Sequence, residues 1–282
     1  MEWTLADTAR IVRMPTAHDD KYARGVVGMR TGSEAYPGAA VLGVEAAARA
    51  GAGMVRYVGP ERAQDLVLSQ RPETVVGEGR VQAWVIGSGT SAEARSDEET
   101  EALRGILDGP EPVVVDAGAL DLVHRGGGSW ILTPHDGEHA RLRARLGLPE
   151  VDASDEARRA ASALDTATVL GAVVVLKGAV TEIAEPGGWT ARIDIAPPWL
   201  ATAGAGDVLA GTIGAVVAGG PPAQDMASLA RHAAAGVWLH AQAAAMHAGQ
   251  MPPRGGPMTA MDVASCLPRA VAVVVGSLPR PE

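Results

Sequence analysis

The chain has 282 residues, 47% of them hydrophobic and 20% charged, which is enough for a globular protein with one large core or two small ones. Its 24 Lys and Arg against 33 Asp and Glu leave a formal charge of −9, which argues against a general nucleic-acid binder, since that would need a basic face. An anionic small ligand is still allowed, because local backbone N–H groups and one or two cations suffice to hold it.

The N-terminal stretch Met1–Arg10 carries Glu2 and Asp7 and no apolar h-region, so no secretory signal is expected. From Gly25 onward, short β-branched runs alternate with Ala-rich helical stretches. Strands are predicted at Gly25–Met29, Met54–Val58, Ala83–Gly87, Pro112–Asp116, Trp130–Thr133 and Ala172–Lys177. Helices are predicted between them at Gly38–Ala50, Ser91–Leu107, Gly137–Leu146 and Ser154–Leu170. The alternation predicts an α/β protein with a mainly parallel sheet, helices on both faces and right-handed crossovers. With no Phe and 3% aromatics, its core must be built from Val, Leu, Ile and Ala.

After Lys177 the pattern changes. Thr181–Ala184 and Trp189–Ile193 flank the turn Glu185-Pro186-Gly187-Gly188 and read as a β-hairpin. Helices follow at Asp207–Ala218, Gln224–His247 and Thr259–Val275, with a Pro- and Gly-rich loop over Gly249–Pro257. Leu209–Gly220 is too short and too glycine-broken to span a membrane, which needs about 18 apolar residues. Cys266 is the only cysteine, so no internal disulfide forms and a reducing, cytoplasmic setting is expected. No repeat or linker demands a second domain, so a single domain over residues 1–282 is expected.

The segment Ala201-Thr202-Ala203-Gly204-Ala205-Gly206-Asp207-Val208-Leu209-Ala210-Gly211 is the most informative. Gly204 and Gly206 permit a tight turn and close ligand approach. Val208, Leu209, Ile213, Val216 and Val217 fit one face of the helix that follows. The N–H groups at that helix start form an anion site. Asp207 beside it suits a base that takes a proton from a hydroxyl nucleophile. A glycine turn capped by Asp would look the same on its own, so context decides. There is no Walker loop, and Leu209 stands where a third dinucleotide-binding glycine would be. Lys177-Gly178 follows the apolar run Val173–Leu176, and Lys177 alone reads equally as a solvated strand end. Gly87-Ser88-Gly89, Asp116-Ala117-Gly118 and Thr133-Pro134-His135 also fall at strand ends. Their convergence on one rim favours a ligand site.

On these residues the chain resembles the ADP-dependent NAD(P)H-hydrate dehydratase family of the ribokinase-like superfamily. The resemblance is ordered, from Lys21-Tyr22-Ala23-Arg24-Gly25 through Tyr36-Pro37-Gly38-Ala39-Ala40, Arg49–Gly53 and Ile86–Gly89. It continues through Val115–Leu120, Leu132–Glu138, Val175–Gly178, Ala201–Gly211 and Leu239-His240. It implies a three-layer α/β/α sandwich and a hydro-lyase that restores hydrated NADH or NADPH. The family phosphorylates the ring hydroxyl with ADP, releasing AMP, and the phosphate then leaves. By match to the motif, Asp207 is the base and Gly204, Ala205 and Gly206 form the anion hole. Lys177, Gly178, Ala179, Val180, Thr181 and Gly206 line the AMP portion. Ala39, Gly89, His135 and Asp207 meet the hydrated dinucleotide. The resemblance also implies Mg2+ and homo-oligomers, often tetramers. No fused epimerase domain is expected, so the chain would act on one epimer unless a separate epimerase interconverts the two.

Several positions depart from the family pattern. Asp136 and His139 stand where Pro and Phe or Met are common. Thr90-Ser91 replaces an apolar residue and Gly, and Ala205 stands where Thr is common. His135-Asp136-Gly137-Glu138-His139 also matches the zinc-peptidase pattern H-x-x-E-H, although Pro134 and Gly137 put His135 at or before a helix start. A small-molecule kinase of the same superfamily would use the Asp207 loop equally well, and a non-catalytic nucleotide sensor would tolerate its loss.

Overall fold

The β-branched runs need cover on both faces, and the computed structural model, which describes residues 1–251 and 255–278, gives them that cover. The strands are Val26–Arg30 (β1), Met54–Tyr57 (β2), Val75–Val76 (β3), Ala83–Ile86 (β4), Val113–Val115 (β5), Trp130–Leu132 (β6), Val173–Leu176 (β7), Thr181–Ala184 (β8) and Thr190–Ile193 (β9). They form a nine-stranded sheet in the order β3-β2-β1-β4-β5-β6-β7-β8-β9. β1 to β7 pair in parallel, and β8 and β9 add an antiparallel hairpin at one edge.

Alternate side chains enter opposite layers. Val27, Met29, Val85, Val114, Ile131, Val173 and Val175 join the larger core with Gly38–Arg49 (α2), Glu61–Gln70 (α3), Ala205–Gly219 (α7), Met226–Ala248 (α8) and Ala260–Gly276 (α9). On the other face, Ile86, Val113, Val115, Trp130 and Leu132 pack with Asp97–Leu107 (α4) and Asp136–Arg145 (α5). Val174 and Leu176 pack with Glu156–Leu170 (α6). The architecture is the α/β sandwich expected, with buried aliphatic side chains filling both layers.

Glycine sets how closely the helices approach. A Cβ on Gly211 of α7 would overlap the Gly43 carbonyl of α2, and one on Gly236 of α8 would lie 2.8 Å from Ile213 Cα of α7. These contacts hold α2 and α8 closely against the middle of α7.

The differences from the sequence reading have local causes. α4 begins at Asp97 rather than Ser91: Ser96 caps it, and Arg95 turns away to the Gly118 carbonyl (2.6 Å) and Asp121. α7 begins two residues earlier than expected, because Gly204 adopts φ +85° and caps it. Leu5–Ala9 (α1), α3 and β3 were not anticipated. α1 is one short turn closed by a Thr4/Asp7 capping box. α3 buries only Ala63 and Val67, too narrow a stripe to stand out in sequence, and Arg71 just after it pairs with the buried Glu45 of α2. Of the Gly249–Pro257 loop, residues 252–254 lie outside the described residues.

Candidate functional site

The first turn of α7 is the geometric centre of the rim. Gly204 is needed there twice over: its φ is +85°, and a Cβ would overlap Leu42 Cδ1 of α2. Ala205, Gly206 and Asp207 then form the first helical turn, whose N–H groups have no helical carbonyl before them; among the described residues only that of Ala205 reaches back, to the Thr202 carbonyl (3.3 Å). Gly206 faces the end of β7, since a Cβ added to it would lie 3.4 Å from Lys177 Nζ. The predicted anion loop and the predicted lysine are therefore brought together.

Asp116 organises the charges in this cleft. Its buried carboxylate accepts from Ser88 Oγ (2.9 Å), Thr133 Oγ1 (2.7 Å) and Lys177 Nζ (2.9 Å). Glu138 Oε2 is 3.8 Å from the same Nζ. These contacts tie the ends of β4, β5, β6 and β7 into one polar network. Burial opposes the Lys177 charge, but Asp116, Glu138 and Asp207 outweigh it and raise its pKa above the ordinary lysine value. Asp207 behaves in the opposite sense. Burial, helped by the Asp116 charge, pushes its carboxyl up to about 7 against the pull of Lys177. A carboxyl poised there is a proton acceptor matched to neutral pH.

Ala39 and Gly89 are in contact. Gly89 has φ +69°, and a Cβ on it would lie 2.5 Å from Ala39 Cβ. Ala39 is in the first turn of α2, the helix whose Leu42 touches Gly204, so this pair borders the Asp207 site. His135 reaches the rim from β6 as the N-cap of α5. Its Nδ1 accepts from the Gly137 and Glu138 N–H groups (3.1 and 3.3 Å), and Glu138 accepts from the His135 N–H (2.8 Å). The Lys177 N–H donates to the Pro134 carbonyl (2.8 Å), which joins the His135 and Lys177 segments. Between the Thr90 loop and α5 lies a cleft of about 430 Å³, bordered by Ser91, Asp121, Glu138 and Arg141. Lys177, Gly178, Ala179, Val180 and Thr181 form the turn from β7 into β8, with Gly178 and Ala179 exposed at the rim.

Asp116, Ser88, Thr133 and Glu138 were not singled out as site residues from sequence. Ser88, Asp116 and Thr133 fall within the strand-end segments read as a ligand rim, whereas Glu138 lies in the first turn of α5. His240, by contrast, lies behind the anion loop: its Nε2 is buried with no hydrogen-bond partner among the described residues. Burial pushes its pKa down to about 4, although the neighbouring Ala205 backbone favours the proton.

The H-x-x-E-H pattern does not assemble a metal site. His135 is engaged in its cap, while His139 is buried and its Nε2 meets Thr166 Oγ1 at 2.9 Å. Burial pushes the His139 pKa down to about 4, with Arg143 acting in the same direction. Among the described residues, no group of three or more His, Cys, Asp or Glu could hold a metal ion.

The mainly parallel α/β sandwich carries a glycine-started helix, a raised carboxyl and a lysine at its carboxyl edge, and its fold is shared with a ribokinase-like superfamily protein of Enterococcus faecalis (TM-score 0.81, 20% identity, over 97% of this chain and 95% of that one). The profile described as NAD(P)H-hydrate dehydratase matches residues 27–269, and the chain belongs to that family. It is 41% identical over 281 residues to the bifunctional NAD(P)H-hydrate repair enzyme Nnr of Mycobacterium leprae, covering 95% of this chain and 55% of that protein. It is 34% identical to the ADP-dependent (S)-NAD(P)H-hydrate dehydratase of Neisseria meningitidis serogroup B, covering 78% of this chain and 76% of that protein. The crystal structure of an ADP/ATP-dependent NAD(P)H-hydrate dehydratase from Bacillus subtilis, co-crystallised with ATP and Mg2+, superposes with a TM-score of 0.83 at 27% identity over 97% of this chain and 98% of that one. The chain spans about half the length of the mycobacterial repair enzymes it matches.

Proposed function

We propose that the chain catalyses ADP-dependent dehydration of the S-epimer of hydrated NADH and NADPH, restoring the dinucleotide and releasing AMP and phosphate. The observation that carries this reading is Asp207. It is a carboxyl held near neutral pKa in the first turn of a glycine-started helix, facing Lys177. Family membership supplies the substrate class.

In this reading Asp207 accepts the proton of the ring hydroxyl as its oxygen attacks the terminal phosphorus of ADP. The bond from that phosphorus to the AMP oxygen breaks. Gly204, Ala205 and Gly206 offer backbone N–H groups to the charge that develops on the transferring phosphoryl group. The phosphate is a far better leaving group than hydroxide. The ring nitrogen pushes it out, and loss of the adjacent C–H proton restores the ring double bond. Lys177, Gly178, Ala179, Val180, Thr181 and Gly206 are assigned to the AMP portion. Ala39, Gly89 and His135 are assigned to the hydrated dinucleotide.

The donor set fits Mg2+ carried by the nucleotide better than a protein-held ion. Asp116 already accepts from Ser88, Thr133 and Lys177, and no carboxylate cluster among the described residues competes for a metal. A magnesium ion there would supply positive charge to the phosphate oxygens.

We further assign the chain a cytoplasmic setting and self-association as a homo-oligomer, up to a tetramer. No helix among the described residues is long and apolar enough to cross a membrane.

The test incubates the protein with hydrated NADH and ADP and follows recovery of the absorbance of intact NADH, with AMP measured alongside. AMP formed in step with NADH supports the reading. ADP consumption with a stable phosphorylated product, and no NADH, would favour a small-molecule kinase instead.

A further inference from the structure

The Lys177–Thr181 turn has exposed glycine and alanine at its crest, so its shape must be imposed from beneath. Arg159 of α6, itself buried, lies directly under it. Its Nη1 donates to the Val180 carbonyl (3.0 Å), and its Nη2 donates to the Leu176 and Lys177 carbonyls (3.2 and 2.7 Å). The backbone rests so close to the guanidinium that a Cβ on Gly178 would lie 2.6 Å from Nη2. The remaining edge of the guanidinium is held by Asp136, whose Oδ1 accepts from Nε at 2.7 Å. Asp136 opens α5 next to His135 and stands where the family commonly has Pro.

We propose that Arg159 is a positioning residue for nucleotide binding: it sets the backbone of the Lys177–Thr181 turn, and Asp136 locks its orientation. The planar fork matches three carbonyls and one carboxylate at once, which a lysine ammonium cannot reproduce. Gly178 is required because any side chain there displaces the fork. The departure at Asp136 thereby acquires a partner and a purpose. The proposal rests on the reading that this turn holds the AMP portion of the donor.

The test compares wild type with Arg159→Lys and Asp136→Asn, and uses Arg158→Ala as a control. Arg158 neighbours Arg159 on α6 but is exposed and pairs with Asp155. ADP binding is measured by titration calorimetry, and KM is measured separately for ADP and for hydrated NADH. Arg159→Lys is expected to weaken ADP binding and raise KM for ADP by about 10-fold or more, and Asp136→Asn by about 3-fold, as expected for losing charge-assisted hydrogen bonds. KM for hydrated NADH should stay within about 2-fold, and Arg158→Ala should match wild type. If Arg159→Lys only lowers the melting temperature while ADP affinity well below it is unchanged, Arg159 is merely structural and the proposal is overturned. Should Arg159→Lys fail to fold, Asp136→Asn decides, because its carboxylate is half-exposed. Unchanged ADP affinity in that variant overturns the proposal. Wild-type protein that binds no ADP would overturn the nucleotide reading as a whole, an outcome distinct from these.

Discussion

Replacing Asp207 by Asn should sharply lower turnover and stabilise the protein at neutral and alkaline pH. The carboxyl is raised from 3.8 to about 7, chiefly by burial. A shift of roughly three units at about 1.4 kcal/mol each makes the ionised form cost on the order of 4 kcal/mol in the folded state. The folded protein binds the Asp207 proton more tightly than the unfolded chain does. Between pH 4 and pH 7 the folded state therefore carries more protons at this site, and stability falls as pH rises. Below about pH 4 the group is protonated in both states and contributes no difference. Asn is neutral throughout and avoids the loss. The melting temperature of Asp207→Asn should thus match wild type near pH 4 and exceed it by about 8 °C at pH 8, taking about 2 °C per kcal/mol for a chain of this size. Turnover should fall by at least about 10²-fold, the low end for a positioned base. Thermal melts across pH, paired with the hydrated-NADH assay, measure both effects. A stability difference that does not vary with pH, or a destabilised variant at pH 8, would refute the burial argument. Near-normal turnover would refute the assignment of the base.

Lys177→Met removes the cation that holds the Asp207 pKa down, so the acidic limb of the kcat/KM profile, expected near pH 7, should move to higher pH. An unmoved limb in the pH–rate profile would disconnect the two residues. Gly204→Ala forces a side chain into φ +85° and onto Leu42, and should cost about 1–3 kcal/mol of stability, read as a lowered melting temperature together with lost turnover. ADP should support a higher kcat/KM than ATP in paired assays with hydrated NADH, and a clear ATP preference would count against the ADP reading.

Much of this molecule was legible in its sequence because the signals were local. The runs Val113–Val115 and Val173–Leu176 are continuous apolar stretches too short for helices, and the Gly204–Asp207 turn announces a helix start by its glycines and carboxylate. The pattern failed where tertiary contacts override it. Ser91 to Arg95 has helical composition, but the pull of Arg95 toward Asp121 keeps it out of α4. α3 has so few buried side chains that only its packing on α2 reveals it.

Sequence by itself determined the layered α/β class, the position of Asp207 in a glycine turn, and the mismatch of this loop to Walker and dinucleotide-binding motifs. Those properties depend on residue type and spacing over a few positions. The tertiary structure decided which strand ends meet. It placed Asp116 between Ser88, Thr133 and Lys177, set the Asp207 pKa through burial, and put Arg159 beneath a turn 18 residues away in the chain. Those are contacts between residues distant in sequence, and their energies depend on distance and dielectric, which no local pattern encodes.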